Sequence, residues 1–196
     1  VVVPFAAETP KTRLADVLSG DERRRFAEAM LADVLTAVAE AGETPEVLST
    51  APLSVEDDLW LDVDATVTVD ERRLTPAVNA VIEGTDGPVA VVMADLAIAT
   101  PDALSRLFAT DGDVVVAPGR GGGTNALVVR EPAFRVDYHG ASFLDHLAAA
   151  DEVGADVAVV DSHHLATDVD TRSDLVEVLI HGEGRARSWL EEAGFE

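Results

Sequence analysis

The chain has 196 residues, 47% of them hydrophobic, and it carries 37 acidic against 14 basic side chains, a formal net charge of −23 at pH 7. Its length predicts a single domain over residues 1–196 with a substantial core, and its hydrophobic fraction excludes a disordered polyacid. The negative charge argues against binding to nucleic acid or to an anionic membrane surface, because both partners select basic patches.

Strands and helices are predicted to alternate through most of the sequence. Helix starts are marked by capping-box spacings at Ser19 and Thr171 and by the Thr100-Pro101 pair. The alternation predicts a three-layer α/β fold, a mostly parallel central sheet with helices on both faces. In chain order within each type, the predicted strands cover 1–5, 46–50, 66–69, 89–96, 113–117, 126–130 and 156–160, and the predicted helices cover 20–41, 74–83, 101–109, 142–151, a stretch from 172, and 183–196.

The central apolar run, residues 89–96, contains a single charge, that of Asp95. A continuous run of this kind is typical of a strand buried on both faces. Open α/β sheets bind their ligands beyond the carboxyl ends of such strands, so Asp95 is a candidate site residue. Taken alone, it could equally cap the turn that follows the strand.

The polar loop over 6–14 follows the first predicted strand and carries Lys11 and Arg13. Two cations and several backbone amides suit the β- and γ-phosphates of a nucleoside triphosphate. Lys11 is the only lysine of the chain. An acid-rich, lysine-poor surface suits a halophile's cytoplasm, where salt screens repulsion between like charges. A lysine retained in such a chain is expected to have a function.

Two more segments suit phosphate chemistry. Asp168 and Asp170 lie on the same side of an extended chain, and either or both could hold Mg²⁺ together with Asp95, since this ion is usually bound by one or two carboxylates plus phosphate oxygens. The glycine-rich loop over 119–123 could bring main-chain amides to an anion, with the hydroxyl of Thr124 beside them. A flexible hairpin is the alternative interpretation of that loop.

Other chemistries lack a motif. Cysteine is absent, which excludes disulfides and thiolate chemistry. The loop over 119–123 leads into a predicted strand rather than a helix, so it does not match the dinucleotide-binding fingerprint. A P-loop is excluded because no glycine precedes the only lysine at the required spacing. The Gly-x-Ser-x-Gly elbow of serine hydrolases is absent as well. Adjacent His163 and His164 would point to opposite faces of an extended chain, and a structural or solvated role is expected. Neither His139, His146 nor His181 has ligand spacing to another histidine.

A cytoplasmic location is expected. No apolar run approaches the ~18 residues that a membrane-spanning helix requires, and no signal peptide is visible.

Five short motifs follow one another in a fixed order along the chain: Lys11-Thr12-Arg13-Leu14-Ala15, Met93-Ala94-Asp95-Leu96, Gly123-Thr124-Asn125-Ala126-Leu127, Gly140-Ala141-Ser142-Phe143 and Asp168-Val169-Asp170-Thr171. This ordered set resembles one family, the 2-phospho-L-lactate guanylyltransferases of deazaflavin coenzyme F-420 biosynthesis, in the form found in haloarchaea. The resemblance covers about residues 1–178. One departure lies in the loop over 138–142, whose glycine stands closer to the serine than in the bacterial pattern.

The resemblance implies a nucleotidyltransferase fold of the glycosyltransferase-A-like, Rossmann-like kind. It also implies GTP as a substrate, Mg²⁺, and a three-carbon phosphorylated acid, 2-phospho-L-lactate or phosphoenolpyruvate, as the acceptor. By motif match, the resemblance assigns Asp95 and Asp168 to the metal and Thr124, Gly140 and Ser142 to the acceptor. Together with the phosphate-suited loop over 6–14, this predicts Lys11, Arg13 and Asp95 as catalytic residues. The predicted nucleotide-binding residues are Pro4, Ala6, Lys11, Arg13, Asn79 and Asp95.

Alternatives stay open at the level of the sequence. Another nucleotidyltransferase of the same fold could use a sugar phosphate or a molybdopterin, and a non-catalytic module could bind GTP without turnover. A homodimer is also left open, because a set of apolar residues could form its contact: Leu53, Leu59, Trp60 and Leu61.

Overall fold

A mixed β-sheet runs through the centre of the protein. The structure, a computed structural model, describes residues 1–8, 11–53 and 63–195. Within these residues the sheet has seven strands in the order β3-β2-β1-β4-β6-β5-β7. Strand β6 runs antiparallel to both neighbours, and all other pairs are parallel. The strands are β1 (Val2–Phe5), β2 (Glu46–Ser49), β3 (Thr66–Val69), β4 (Val89–Val92), β5 (Val114–Pro118), β6 (Thr124–Val129) and β7 (Val157–Val159).

Helices cover both faces of this sheet, which confirms the three-layer α/β prediction. Consecutive residues Val2 and Val3 of β1 are both buried but belong to different hydrophobic clusters, because neighbouring side chains of a strand point to opposite faces. Helices α1, α3, α6 and α7 contribute to one cluster, and α2 and α4 to the other. The helices are α1 (Gly20–Glu40), α2 (Leu74–Gly84), α3 (Pro101–Ala109), α4 (Ser142–Val153), α5 (His163–Ala166), α6 (Arg172–His181) and α7 (Arg185–Glu192).

The predicted helix caps are present. The hydroxyl of Ser19 accepts from the N–H of Glu22, whose carboxylate accepts from the N–H of Ser19 at 2.7 Å. Thr100 caps α3 in front of its N1 proline, and Thr171 forms a capping box with Asp174. These caps satisfy backbone N–H groups that would otherwise lack partners at the helix starts. Among the described helices, none has the length and apolar character to cross a membrane.

The central strand is shorter than predicted. Strand β4 ends at Val92, and Asp95 lies in the turn that follows. The strand prediction over 89–96 was wrong at this end because Leu96 and Ile98, which look like strand residues, are buried within the turn that precedes α3. The chain leaves the sheet just before Asp95, so its carboxylate stands beyond the strand ends.

The region of His163 and His164 also differs from the prediction. These residues begin the short helix α5 instead of lying on extended chain. Their side chains therefore diverge by helical geometry, and His164 Nδ1 lies 3.0 Å from the carbonyl oxygen of Ile98 while His163 faces α6.

Candidate active site

A pocket of ≈ 380 Å³ lies beyond the carboxyl ends of β1 to β4. Because these four strands are parallel, the loops that follow them meet at one edge of the sheet. Six residues of the pocket wall come from β1, from the loops after β1 and β4 and from the segment before α6, and all but the last are predicted site residues: Pro4, Ala6, Lys11, Arg13, Asp95 and Asp170.

Lys11 is the centre of the charged wall of the pocket. Its Nζ lies 2.6 Å from Oδ2 of Asp95 and 2.9 Å from Oδ1 of Asp170, and its side chain is only 10% exposed. Burial alone would lower the pKa of this ammonium, but the two carboxylates outweigh burial and raise the pKa above its usual value. Lys11 is thus a permanently charged counterion for both aspartates near neutral pH.

The backbone at Lys11 has a left-handed conformation, with φ 54°. A side chain other than glycine takes this conformation at a cost of roughly 1–3 kcal/mol, and such residues concentrate at functional sites. Lys11 stands directly before the 3₁₀ turn Thr12–Leu14, which buries Leu14 in the core. The strained residue is therefore held in place by the packing of the turn that follows it.

Asp95 is joined to the segment of Asp168 and Asp170 through the backbone. The carbonyl oxygen of Asp95 accepts from the N–H of Val169 at 3.2 Å, which brings the two segments side by side. One carboxylate oxygen of Asp95, Oδ2, binds Lys11, whereas Oδ1 is buried and has no hydrogen-bond partner in the described structure. A buried carboxylate oxygen without a donor is destabilising by about 1–3 kcal/mol, and this oxygen fits a ligand of a cation.

Asp168 and Asp170 diverge from each other. Asp170 shares Lys11 with Asp95 and also binds Nη1 of Arg13 at 3.0 Å. Asp168 instead accepts from Nδ2 of Asn125 at 3.2 Å, on β6. Asp170 is thus the aspartate of this pair that lines the pocket together with Asp95, whereas Asp168 is not part of the pocket wall. The assignment of Asp168 to the metal stays a prediction.

The sequence did not single out three charged residues of the pocket: Asp70, Arg72 and Arg73. The Asp70 carboxylate accepts from the N–H and guanidinium of Arg72, and these bonds hold the pKa of Asp70 below its usual value. Asp70 directly follows β3, so the rule that drew attention to Asp95, a carboxylate just past a strand, could have found it.

Asn79 lies outside this pocket wall. Its Nδ2 donates to the carbonyl oxygen of Val136 at 3.0 Å, and its Oδ1 accepts from the N–H of the same residue at 2.9 Å. This paired contact ties α2 to the connection between β6 and α4. Both polar atoms of the Asn79 amide are thus engaged by Val136, and its role in nucleotide binding stays a prediction.

The glycine-rich loop over 119–123 is the turn of the β5–β6 hairpin. Three of its N–H groups donate within the protein, those of Gly119, Arg120 and Gly122. These amides are thus not available to an anion, and the hairpin interpretation is the right one. A Cβ at Gly119 would stand 2.5 Å from Oδ1 of Asn125, so the glycine lets Asn125 reach across to Asp168.

Ser142 and Thr124, two residues predicted to bind the acceptor substrate, are hydrogen-bonded to each other next to the β5–β6 hairpin. The hydroxyl of Ser142, the first residue of α4, accepts from the N–H of Thr124 at 3.0 Å. The hydroxyl of Thr124 lies 2.8 Å from Nδ1 of His146. Gly140 lies just before α4 with φ +48° and open space at its Cα, so it is close to Ser142 along the chain.

His146 fixes the direction of these hydrogen bonds. Its Nε2 accepts from the N–H of Asp137 at 3.0 Å, so the proton of a neutral imidazole must be on Nδ1, which donates to Thr124. Burial lowers the pKa of His146 to about 4, although Asp145 and Asp137 act in the opposite direction. The ring is therefore neutral near pH 7, and the Thr124 hydroxyl keeps its own proton to donate.

The predicted dimer contact cannot be followed through the structure. Residues 59–61 lie outside the described part of the chain, and only Leu53 of the set is described. The homodimer stays a prediction.

Solved proteins that are named as transferases of nucleotides or nucleotide sugars share this fold. A solved protein from Desulfovibrio desulfuricans, named as a nucleotide-diphospho-sugar transferase, superposes with a TM-score of 0.73 at 14% identity over 97% of this chain and 93% of that one. A nucleotidyl transferase from Methanothermobacter gives 0.64 at 16% identity over 92% and 95%. At these identities the likeness shows a shared fold.

The family follows from the sequence comparison. A family model described as "Guanylyl transferase CofC like" matches residues 1–196. A relative from Halomicrobium mukohataei, named 2-phospho-L-lactate guanylyltransferase, is 59% identical over 196 residues, covering 100% of this chain and 93% of its own. The chain belongs to the CofC-like guanylyl transferase family.

Proposed function

We propose that this chain transfers the guanylyl group of GTP to the phosphate of 2-phospho-L-lactate, with release of pyrophosphate, as a step of coenzyme F-420 biosynthesis. Family membership and the printed name of a relative at 59% identity support the reaction. The observation that carries it is the pocket in which Lys11 bridges Asp95 and Asp170 while one oxygen of Asp95 is buried without a partner.

The reaction requires positioning more than proton transfer. An oxygen of the acceptor phosphate attacks the α-phosphorus of GTP, and the bond from that phosphorus to pyrophosphate breaks on the opposite side. The attacking group is already an anion near neutral pH, so the protein needs neither a nucleophile nor a strong base. Lys11 and Arg13 supply charge that offsets the meeting of two polyanions in a chain of net charge −23.

The carboxylates of the pocket fit Mg²⁺. Asp95, together with Asp168, Asp170 or both, would hold the ion, which prefers oxygen ligands and bridges phosphates. The buried Oδ1 of Asp95 supports this assignment, because a cation would satisfy it. When bound, the ion supplies positive charge to the triphosphate.

For the acceptor, the proposed binding residues are Thr124, Gly140 and Ser142. Thr124 Oγ1 accepts from His146, and Ser142 Oγ accepts from the N–H of Thr124, so each hydroxyl keeps a proton for a phosphate or carboxylate oxygen. Asn125 connects this region to the carboxylates, because its neighbour Thr124 faces α4 while its own amide reaches Asp168.

A two-by-two assay tests the proposed reaction. GTP and ATP are each combined with 2-phospho-L-lactate and phosphoenolpyruvate in concentrated KCl with Mg²⁺, and pyrophosphate release is measured. We expect GTP with 2-phospho-L-lactate to react fastest. A higher rate with phosphoenolpyruvate would reassign the acceptor, and GTP binding without pyrophosphate release, with sugar phosphates included, would favour a non-catalytic module.

Single substitutions can distinguish the roles of the three aspartates in turnover. Asp95→Asn is expected to lower turnover by about 100-fold or more, because it removes charge stabilisation at the phosphates. Turnover of Asp168→Asn and of Asp170→Asn, measured under the same conditions, shows which of the two aspartates acts together with Asp95 at the proposed metal site. The matched control is Asp111→Asn, an exposed aspartate outside the pocket wall. Turnover near that of the unmodified chain in Asp95→Asn would remove Asp95 from the site.

A further inference from the structure

A second cluster of ionisable side chains lies on helices α5 and α6. His163 begins α5, and Glu177 and His181 stand one turn apart on α6. One potential ligand atom from each lies within 4.8 Å of the other two, the one group of this kind in the described residues. Nε2 of His163 is 3.4 Å from Oε2 of Glu177, and Nε2 of His181 is 3.7 Å from the same oxygen. The ring centroids of the histidines are 5.1 Å apart.

These separations have the size of the edges of a tetrahedral metal site. Zinc binds histidine nitrogen and carboxylate oxygen at about 2.0–2.2 Å, so neighbouring ligand atoms of a tetrahedron are about 3.4 Å apart. Two imidazoles and one carboxylate, with water in the fourth position, form a known kind of zinc ligand set. We propose that His163, Glu177 and His181 bind a divalent transition-metal ion of the zinc type.

Arg120 orients the carboxylate of this cluster. Its Nη1 lies 3.7 Å from Oε1 of Glu177, on the side away from the histidines, and its Nη2 binds Asp174 at 3.0 Å. Glu177 is therefore held with one oxygen toward the guanidinium and the other toward both imidazoles. Such a partner behind a ligand fixes its direction before the ion arrives. The histidine side chains are 46% and 42% exposed, so an ion can enter from solvent.

The cluster selects a different ion from the pocket at Asp95. Imidazole nitrogen suits Zn²⁺, Co²⁺, Ni²⁺ and Cu²⁺, whereas Mg²⁺ and Ca²⁺ prefer oxygen. The many surface carboxylates of this chain attract hard cations, but they offer no nitrogen. A metal bound here is thus separable by its chemistry from one bound by aspartates alone.

The site would also connect two helices that flank functional residues. The segment over 167–171 joins α5 to α6 and contains Asp168 and Asp170. An ion held by one residue of α5 and two of α6 closes this segment into a loop and lowers the number of conformations open to it. The bound ion therefore stabilises the chain around both aspartates.

Metal binding is measured on the full chain without a polyhistidine tag. Zn²⁺ is titrated in competition with a chromophoric chelator, in concentrated KCl with millimolar Mg²⁺ to occupy the acidic surface. We expect one tight equivalent, and at least a tenfold weaker affinity in His163→Ala, His181→Ala and Glu177→Gln. His139→Ala is the control, since that histidine is exposed and lies on another loop. Co²⁺ should give the visible absorption of a tetrahedral site in the unmodified chain and in His139→Ala, but not in the three ligand variants.

Thermal unfolding and a double variant test further whether the two histidines and Glu177 bind the metal. Zn²⁺ should raise the thermal unfolding midpoint of the unmodified chain and of His139→Ala, but not of the ligand variants, whose midpoints in EDTA should match the unmodified chain. An unchanged affinity in the His163→Ala/His181→Ala double variant would overturn the proposal, because the ion would then be bound by surface carboxylates. An equal loss of affinity in His139→Ala would overturn it as well.

Discussion

At the scale of single residues, the buried His146 determines the hydrogen bonding next to the β5–β6 hairpin. His146 is fully buried and uses both ring nitrogens, one toward Asp137 and one toward Thr124. Protonation would put a donor on Nε2 opposite the N–H of Asp137 and would break that hydrogen bond. The neutral ring is therefore part of the structure that holds Thr124 in place.

The stability of the chain should depend on pH through His146. Its pKa falls from 6.5 unfolded to about 4 folded, which corresponds to about 3 kcal/mol of unfolding free energy. Because the folded pKa is depressed, this contribution is complete above pH 6.5 and is lost as the pH falls from 6.5 to about 4. Denaturant unfolding across that range should show a steeper pH dependence for the unmodified chain than for His146→Asn.

The control for this measurement is His139→Asn, which changes an exposed histidine. The side chain of His139 is 80% exposed and contacts Asp137, so this variant shows whether the loss of slope is specific to the buried His146. An equal slope in His146→Asn and the unmodified chain would contradict the assignment of that contribution to His146.

Site residues that follow strands could be predicted from the sequence. Residues that come together only through the packing of separate helices could not. Asp95 and Lys11 stood out because one follows an apolar run and the other is the sole lysine, and they meet at 2.6 Å. His163 and His181 meet as well, but they belong to different helices whose packing no local pattern reveals. Asn79 has a sequence context that suits a binding residue, yet its amide is used by the backbone of Val136.

At the scale of elements, most helix starts and the succession of strands and helices along the chain were predictable, whereas element ends and the position of each strand in the sheet were not. Hydrogen-bonding caps such as Ser19 with Glu22 are local and can be read from spacing. The end of β4 depends on where its neighbours end, and apolar residues continue past Val92 because the next turn is buried too. The short helix α5 has too few residues to show a period.

Helix α7 is attached to α1 through one carboxylate. Oδ1 of Asp33 accepts from the N–H of Arg185 at 2.7 Å and Oδ2 from the N–H of Ala186 at 2.9 Å. The same carboxylate lies against the Cα of Gly184, where a Cβ would collide with it. Beneath this contact, Phe26 and Trp189 pack with ring centroids 5.3 Å apart. Asp33 thus caps the first turn of α7 from a neighbouring helix.

Removing this carboxylate should loosen α7. Asp33→Ala is expected to lower the free energy of unfolding by about 1–2 kcal/mol, because two backbone donors of the first turn lose their acceptor. Asp33→Asn keeps one acceptor oxygen and should lose less. Chemical denaturation followed by far-ultraviolet circular dichroism measures both, with exposed Glu40→Ala on the same helix as the control. A change below about 0.5 kcal/mol in Asp33→Ala would show that the apolar contact alone holds α7.

At the scale of the whole molecule, charge sets the conditions in which the fold is stable. The acidic side chains that give the net charge of −23 repel one another in the compact state. The described ion pairs engage only some of these side chains. Exposed ion pairs contribute little each, about 0–1 kcal/mol, so they do not offset that repulsion.

The thermal unfolding midpoint should therefore rise with KCl concentration. Screening shortens the Debye length from about 10 Å at 0.1 M to about 3 Å at 1 M, which removes most repulsion between surface carboxylates. Salt also weakens exposed ion pairs, but these are few beside 37 acidic residues, so screening of repulsion dominates. The Lys11 contacts should persist, because this side chain is buried. A midpoint that falls between 0.1 and 1 M KCl would mean that ion pairs, rather than repulsion, control the stability of the chain.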